Sequence, residues 1–444
     1  MERDSSAARA VRRTPPFWQD RAAIPRGVAA SMSGFRLLLA QVASILLVAR
    51  VVGWLFGRIG QPRVIGEMVA GILLGPSLLG WLAPALSHAL FPPESLGFLE
   101  SLSQVGLLLF MFLVGLELDP KQLRESGRAA LAISLASIAL PFALGWLLAT
   151  WLHPRVAGPG VPLLGFALFM SVAMSITAFP VLARILTERG LLRSKVGVVA
   201  ITCAAVDDVA AWTMLAAIVV LIRATELALP WWLALLGLAA FALVMLTIVR
   251  RGARRFAADF ERRGGALSHG SLAWILLLAL ASAWVTESLG VHAVFGAFLA
   301  GIVMPRHEGL SKEIWKRFES VTVVLLLPVY FAFTGLRSSF GLAAGGSMAL
   351  YTLLIIVVAI AGKWGGALAA ARCTGLSWRE SAAVGLLMNT RGLVELIILN
   401  IGLDLGILSP ALFSAMVLMA LVTTFMTSPL LRWILPRRSD TPSL

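Results

Sequence analysis

The sequence contains little charge and very little cysteine for its length. Charged residues make up 14% of its 444 residues, whereas soluble domains carry about 25%. Its two cysteines, Cys203 and Cys373, lie in or beside apolar segments, which excludes a disulfide framework. Hydrophobic residues make up 59% and the mean hydropathy is +0.89. These values argue against a string of soluble domains and indicate one integral membrane unit.

Basic residues exceed acidic ones, with 37 Lys and Arg against 23 Asp and Glu and a net charge of +14. Most of the basic residues lie between apolar segments rather than in one continuous run. Such a distribution is typical of membrane topology signals, so we expect membrane lipids as partners and no nucleic acid.

The apolar segments are long enough to cross a bilayer, since a spanning helix needs about 20 residues. We therefore predict an all-α polytopic membrane protein with about thirteen transmembrane helices. The predicted spans are 37–57, 62–80, 99–118, 129–152, 162–187, 195–222, 230–250, 271–289, 291–305, 319–340, 347–371, 380–402 and 409–433.

The charges of the loops set the orientation. Counted together with the four span residues on either side, the loops after odd-numbered spans and the C-terminal tail hold 24 Lys and Arg, and the loops after even-numbered spans hold 3. Basic loops stay on the cytoplasmic side. We expect a multi-pass protein of the cell (inner) membrane, with a short cytoplasmic tail at 434–444 and an outside N-terminus.

The first 36 residues form a basic extension that we expect to be disordered. They carry seven arginines, which oppose export of this end. Two starting points remain open, Met1 and Met32.

Three sequence matches lie seven spans apart and in the same order. VIGEMVAGILLGP (64–76) resembles VFGAFLAGIVMP (294–305), LVGLE (113–117) resembles FTGLR (333–337), and SITAFP (175–180) corresponds to MNTRG (388–392). Because seven is odd, partner spans cross the membrane in opposite directions. The sequence therefore predicts an inverted-topology repeat, as in many secondary transporters. Chance recurrence of small-residue motifs is the alternative.

Two adjacent carboxylates, Asp207 and Asp208, interrupt the apolar sixth span. Ionisable residues at bilayer depth are costly and usually serve ion binding, proton relay or substrate binding. Neighbours in a helix point about 100° apart, so one carboxylate can face a cavity while the other pairs. Lys363 in span 11 is the candidate partner, either in a shared titration or as a fixed ion pair.

Spans 5 and 12 carry residues that interrupt helices. Pro180 follows Thr177 in span 5, and Asn389 and Thr390 precede Gly392 in span 12. Matched broken helices expose backbone carbonyls near mid-bilayer, where they suit a monovalent cation. A simple proline kink is the alternative interpretation.

Four further charged residues are secondary candidates. Arg391 and Glu395 are four residues apart and can pair along one helix face, most simply in a structural role. Glu67 and Glu117 lie near predicted span ends and could form hydrogen bonds at a helix terminus. We find no metal-ligand spacing, phosphate loop or nucleophile constellation, so we expect a secondary transporter without a cofactor, not an enzyme.

Five segments resemble the monovalent cation:proton antiporter-2 family, the Kef-type and NapA-like exchangers of sodium or potassium for protons. The segments are QPRVIGEMVAGILLGP (61–76), TAFPVLARIL (177–186), the aspartate pair, Lys363, and NTRGLVE (389–395).

This resemblance implies an NhaA/NapA-like fold with two broken, crossing helices within residues 37–433. It implies a core domain at 129–222 and 347–433, and a homodimerisation domain at 37–118 and 230–340. It also implies that Asp208 holds the monovalent cation or the proton in turn, that Asp207 pairs with Lys363, and that Thr177 contributes. Kef-type members carry a nucleotide-binding regulatory domain, which we do not expect after span 13.

The expected function is antiport of Na⁺ or K⁺ against protons by alternating access. A cation channel of the same fold would need a continuous polar pore, yet the polar groups cluster at one depth. A sodium-coupled organic solute symporter would have less need of a lysine–aspartate pair.

Overall fold

The computed structural model describes residues 34–117, 128–191, 194–222, 231–289, 292–305 and 307–435. These residues form helices and turns without a strand among them. The predicted N-terminal extension up to residue 33, and the tail from residue 436, lie outside the described residues.

Twenty α-helices follow one another along the described chain. They are α1 Gly34–Arg58, α2 Arg63–Leu74, α3 Leu79–Leu82, α4 Pro84–Leu90, α5 Leu96–Glu117, α6 Arg128–Val156, α7 Leu163–Ser175, α8 Phe179–Glu188, α9 Lys195–Ile222, α10 Trp231–Val244, α11 Arg250–Arg262, α12 His269–Ser288, α13 Ala293–Val303, α14 Glu308–Val321, α15 Leu327–Leu336, α16 Phe340–Ala344, α17 Ser347–Cys373, α18 Trp378–Met388, α19 Leu393–Asp404 and α20 Pro410–Ile434.

Ten helical stretches of the described chain are long and apolar enough to cross a membrane. The remaining three predicted spans correspond to α13 and to the broken pairs α7–α8 and α18–α19. The helices thus leave room for thirteen crossings, and that number stays a prediction.

Two predicted spans continue well beyond their expected ends. Span 7 runs from α10 through a π-helical turn, Met245–Val249, into α11, and span 10 runs from α14 through a second π-helical turn, Thr322–Leu326, into α15. Hydropathy missed these extensions because α11 and the start of α14 are charged and carry no apolar run.

The helices pack in two sets. In the first set, α6 packs on α7, α9 and α17, while α17 also packs on α18 and α20. In the second set, α2 packs on α1 and α15, and α5 packs on α13 and α15. The aspartate pair lies on α9 and thus belongs to the first set.

Glycines bring the helices of the second set into backbone contact. A Cβ on Gly71 of α2 would lie 2.3 Å from the Phe331 oxygen of α15, and one on Gly335 would lie 2.1 Å from Gly71 itself. A Cβ on Gly301 of α13 would lie 2.1 Å from the Phe112 oxygen of α5. Only glycine allows so close an approach.

These crossings follow the matched segments of the sequence. Gly71 matches Gly301, and Gly335 matches Gly115, whose added Cβ would lie 2.1 Å from the Phe298 oxygen of α13. The α2–α15 and α13–α5 crossings therefore use corresponding glycines with the partners exchanged, which agrees with the predicted repeat.

Candidate ion-binding site

The two broken helices meet where their backbones leave the helical path. Residues 176–178 separate α7 from α8, and residues 389–392 separate α18 from α19. The Ala178 amide donates to the Thr390 carbonyl at 2.9 Å. The Thr177 hydroxyl lies 2.8 Å from the Met388 carbonyl, the last residue of α18. These contacts tie one interruption to the other, so the residues predicted to break spans 5 and 12 lie together.

Two basic side chains cap the carboxyl end of α7. Lys363 of α17 donates from Nζ to the Ser175 carbonyl at 2.5 Å. Arg391 donates to the carbonyls of Ala173 and Met174 at 2.8 and 2.5 Å. A helix end leaves its last carbonyls without partners and carries a partial negative charge, so both cations stabilise it.

Asp207 is held by groups from three other segments. Its Oδ2 lies 2.6 Å from Lys363 Nζ and 2.9 Å from the Thr177 hydroxyl. Ser134 of α6 donates to Oδ1 at 2.5 Å, and the Ser137 hydroxyl lies 3.1 Å from Oδ2. All of these side chains are buried. Asp207 is thus a saturated acceptor within the first helix set.

Asp208, its neighbour in the chain, has a carboxylate without hydrogen-bond partners in the part of the chain that the structure describes. Its side chain is fully buried, and neither carboxylate oxygen has a hydrogen-bond partner among the described residues. The backbone amide of Phe179, at the start of α8, interacts with it electrostatically without forming a hydrogen bond of ordinary geometry. A buried carboxylate without a partner is costly, so this position favours a proton or a bound cation.

Asp208 lies on the side of α9 that faces the second helix set. Trp212, one turn later on the same face, packs against Phe295 and Phe298 of α13 with ring centroids 5.6 and 6.0 Å away. The two carboxylates therefore have different surroundings, as the 100° rotation between neighbours predicts: Asp207 faces inward and Asp208 faces the boundary between the sets.

Arg391 and Glu395 form the ion pair that their spacing predicts. Arg391 Nη1 lies 2.6 Å from Glu395 Oε2, and both side chains are fully buried. The Arg391 amide also donates to the Thr424 hydroxyl of α20 at 2.8 Å. With the two bonds to α7, this geometry fits the structural role expected for the pair.

Several oxygens near the second interruption have no partner among the described residues. They include the Asn389 amide oxygen, the Thr390 hydroxyl and Glu395 Oε1, all in fully buried side chains. Asn389 and Thr390 therefore remain candidates for coordinating an ion. Pro180 lies at the second position of α8, where a proline without an amide hydrogen is tolerated.

Glu67 and Glu117 are not brought to this site. Glu67 is on the second turn of α2 and Glu117 is the last residue of α5, both in the second helix set. Glu67 therefore sits inside a helix and not at its terminus, because span 2 begins at Arg63. Their contribution to ion binding stays a prediction that the geometry does not favour.

Sequence reasoning missed Ser134 and Ser137 as ligands of Asp207. The sequence pattern could have indicated them, since the two serines are three residues apart in an otherwise apolar span and so share one helix face. No cluster of three or more His, Cys, Asp or Glu side chains occurs in the described ranges. The site instead offers one free carboxylate with neighbouring hydroxyl and carbonyl oxygens, which suits a single hard cation or a proton.

Comparison with known proteins identifies the family of this chain. Residues 45–435 match the family described as "Sodium/hydrogen exchanger, transmembrane". The chain belongs to the sodium/hydrogen exchanger family. It is also a multi-pass membrane protein, as its apolar helices indicate.

Relatives are found in bacteria, plants and yeast. The Na(+)/H(+) antiporter NhaS4 of Synechocystis sp. is 42% identical over 90% of this chain and 97% of its own length. Cation/H(+) antiporter 17 of Arabidopsis thaliana is 42% identical over 89% of this chain, and K(+)/H(+) antiporter 1 of Saccharomyces cerevisiae is 34% identical over 91%. This chain spans about half the length of the plant and yeast proteins, 48% and 47%.

A solved structure shares the fold. The sodium proton antiporter MjNhaP1 from Methanocaldococcus jannaschii superimposes with a TM-score of 0.63 over 90% of this chain and 97% of that one. The identity is 13%, so the likeness concerns the fold alone. The predicted antiporter fold and the family resemblance are confirmed.

Proposed function

We propose that this protein is a secondary antiporter that exchanges Na⁺ or K⁺ for protons, with Asp208 as the carrier of both. One observation carries the proposal: Asp208 is a fully buried carboxylate without a hydrogen-bond partner among the described residues, next to two crossing helix breaks. Relatives named for sodium/proton and potassium/proton exchange support the same chemistry.

Coupling follows from competition at one carboxylate. A proton neutralises Asp208, and so does a bound monovalent cation, but the two occupants exclude each other. Asp207 cannot take this role while Lys363, Thr177 and Ser134 occupy its oxygens. Asp207 and Lys363 therefore hold the broken helices in place, and the Thr177 hydroxyl links them to the crossing.

Alternating access then requires the first helix set to move against the second. Asp208 lies at their boundary, so a displacement of α9 relative to α13 changes which side it faces. We propose that the two sets are the core and homodimerisation domains, in the cell membrane with a cytoplasmic C-terminus. The excess of basic residues in alternate loops supports that orientation.

The test is proton flux in proteoliposomes that contain a pH-sensitive dye. Adding Na⁺ or K⁺ should dissipate an imposed proton gradient with wild-type protein, and Asp208→Asn should abolish the response because asparagine cannot exchange a proton. Lys195→Gln is the matched control, since Lys195 is 63% exposed and pairs with Glu380 away from the site. Retained exchange in Asp208→Asn would contradict the proposal.

A further inference from the structure

Trp212 places a buried hydrogen-bond donor beside the unpaired carboxylate. The Trp212 side chain is 2% exposed, and its indole Nε1 has no hydrogen-bond partner among the described residues. Asp208, four residues earlier on α9, has two acceptor oxygens in the same condition. A buried indole N–H usually finds a hydrogen-bond partner. Here the N–H of Trp212 and the oxygens of Asp208, all unpaired among the described residues, lie on the same face of α9.

Helix geometry places Trp212 and Asp208 one turn apart on the same face of α9. Side chains of a helix lean toward its N-terminus, so a long side chain covers the turn that precedes its own Cα. For Trp212 that turn contains Asp208. The rings of Phe295 and Phe298 contact the indole across the boundary between the helix sets.

We infer that Trp212 is a positioning residue for ion exchange, whose indole N–H donates to one oxygen of Asp208 whenever that carboxylate is ionised. A carboxylate has two oxygens, so the second remains available for the cation. This inference rests on the proposed function. Ionised Asp208 thus receives a hydrogen bond from a residue of its own helix. The Trp212 indole that donates this bond also closes one side of the site.

Other charged groups near Asp208 do not replace this donor. The charged groups that act on it are Asp207 and Lys363, and the neutral Phe179 backbone amide of α8 approaches it without a hydrogen bond of ordinary geometry. Lys363 already donates to Asp207 and to the Ser175 carbonyl. Helix α13, which packs against Trp212, has no titratable side chain, and those of α5 lie near its two ends, at Glu100 and Glu117.

The proposal gives Trp212→Phe a specific signature. Phenylalanine keeps an aromatic ring against α13 but removes the N–H, so the ionised carboxylate loses a donor and Asp208 keeps its proton to higher pH. Hydrogen bonds to charged groups are the stronger class, so we expect the pH profile of exchange to move up by about one unit. The KM for the cation should rise several-fold at low pH and approach the wild-type value at high pH, with little change in maximal rate.

The experiment is cation-driven proton flux in proteoliposomes across a range of pH for wild type, Trp212→Phe and Phe295→Leu. Phe295→Leu disturbs the ring packing and keeps the donor, so its pH profile should match wild type. If Trp212→Phe reconstitutes poorly, 3-benzothienylalanine at position 212 keeps the shape of the indole without its N–H and should give the same shift.

Three results would contradict the inference. An unchanged pH profile in Trp212→Phe overturns it while leaving the proposed function intact, provided that Asp208→Asn is inactive. An equal shift in Phe295→Leu assigns the effect to packing. Wild-type protein without cation-driven flux overturns the proposed function and this inference together.

Discussion

At the scale of single residues, two identical neighbours acquire opposite chemistry from the helix that carries them. Asp207 accepts from Lys363, Thr177 and Ser134, whereas Asp208 has no partner among the described residues. The 100° between consecutive side chains is the cause, because it turns one carboxylate into the helix set and the other toward its boundary. An asymmetric pair can combine a fixed anchor with an exchangeable site.

Removing one residue of the Asp207–Lys363 ion pair should strongly destabilise the fold. The two charges are 2.6 Å apart and fully buried, and removing one partner of such a pair typically costs about 3–5 kcal/mol. We expect Lys363→Met to lower the melting temperature in detergent markedly, because it leaves the Asp207 carboxylate without its counter-ion.

The control for this prediction is again Lys195→Gln, whose exposed ion pair should contribute little to stability because solvent screens it. The double variant Asp207→Asn/Lys363→Met should regain part of the lost stability. If Lys363→Met melts like Lys195→Gln, the pair does not hold the helices together.

At the scale of helices, glycine positions determine how closely the second set packs. Gly71 and Gly335 meet where α2 crosses α15, and their repeat partners Gly301 and Gly115 meet where α13 crosses α5. The motifs predicted that these segments correspond. They could not show that each segment contacts the partner of the other, because that depends on the three-dimensional crossing.

Gly71→Ala should destabilise the protein because the new methyl group would lie 2.3 Å from the Phe331 carbonyl oxygen, a backbone atom that cannot move alone. We expect a loss of about 1–3 kcal/mol, typical of overpacking. Gly365→Ala in α17 is the matched control, since its Cβ meets no atom within 4 Å. That change should be neutral or raise stability by about 0.5–1 kcal/mol through helix propensity.

Thermal unfolding of both variants in the same detergent checks this prediction. A Gly71→Ala protein as stable as Gly365→Ala would mean that the α2–α15 crossing adjusts freely.

The sequence allowed the fold and the site to be predicted to different depths. Hydropathy located the spans, and the positions of Pro180 and Gly392 indicated the two helix breaks. The charged extension α11 was missed because apolar runs define only the part of a helix that lies in lipid. Ser134 and Ser137 were missed because serines are common in membrane spans. Their role as hydrogen-bond partners follows only from the orientation of the Asp207 side chain, which the structure shows.

At the scale of the whole molecule, a polar cluster near the ends of α15 and α19 bridges the two helix sets, since α15 belongs to the second set and α19 packs on α20 of the first. Asn400 of α19 donates to the Thr334 hydroxyl at 3.0 Å and accepts from Arg337 at 3.1 Å. Arg337 also forms an ion pair with Asp404. Under the loop-charge orientation this cluster is on the outer side, so outward opening would have to break it.

Arg337→Gln should therefore favour the outward-open state. Ser103 lines the pocket beside this cluster and is 1% exposed, so Ser103→Cys reports opening in a protein that also carries Cys373→Ser. We expect a membrane-impermeant maleimide added outside to label the introduced cysteine about fivefold faster in Arg337→Gln than with Arg337 present. This factor corresponds to the loss of about 1 kcal/mol by which the Arg337 contacts favour the closed state. Arg317→Gln breaks a pair within α14 and should not change labelling. Equal rates in both variants would show that the cluster does not oppose opening.

The central claim is that cation and proton compete for Asp208, and proton release on cation binding tests it most directly. Purified protein in weakly buffered detergent solution is titrated with Na⁺ or K⁺ near the pH midpoint of its exchange activity while the pH of the solution is recorded. The account predicts that the cation displaces protons from wild type and that Asp208→Asn releases none. Cation binding without proton release in wild type, or the same release from Asp208→Asn, would contradict it.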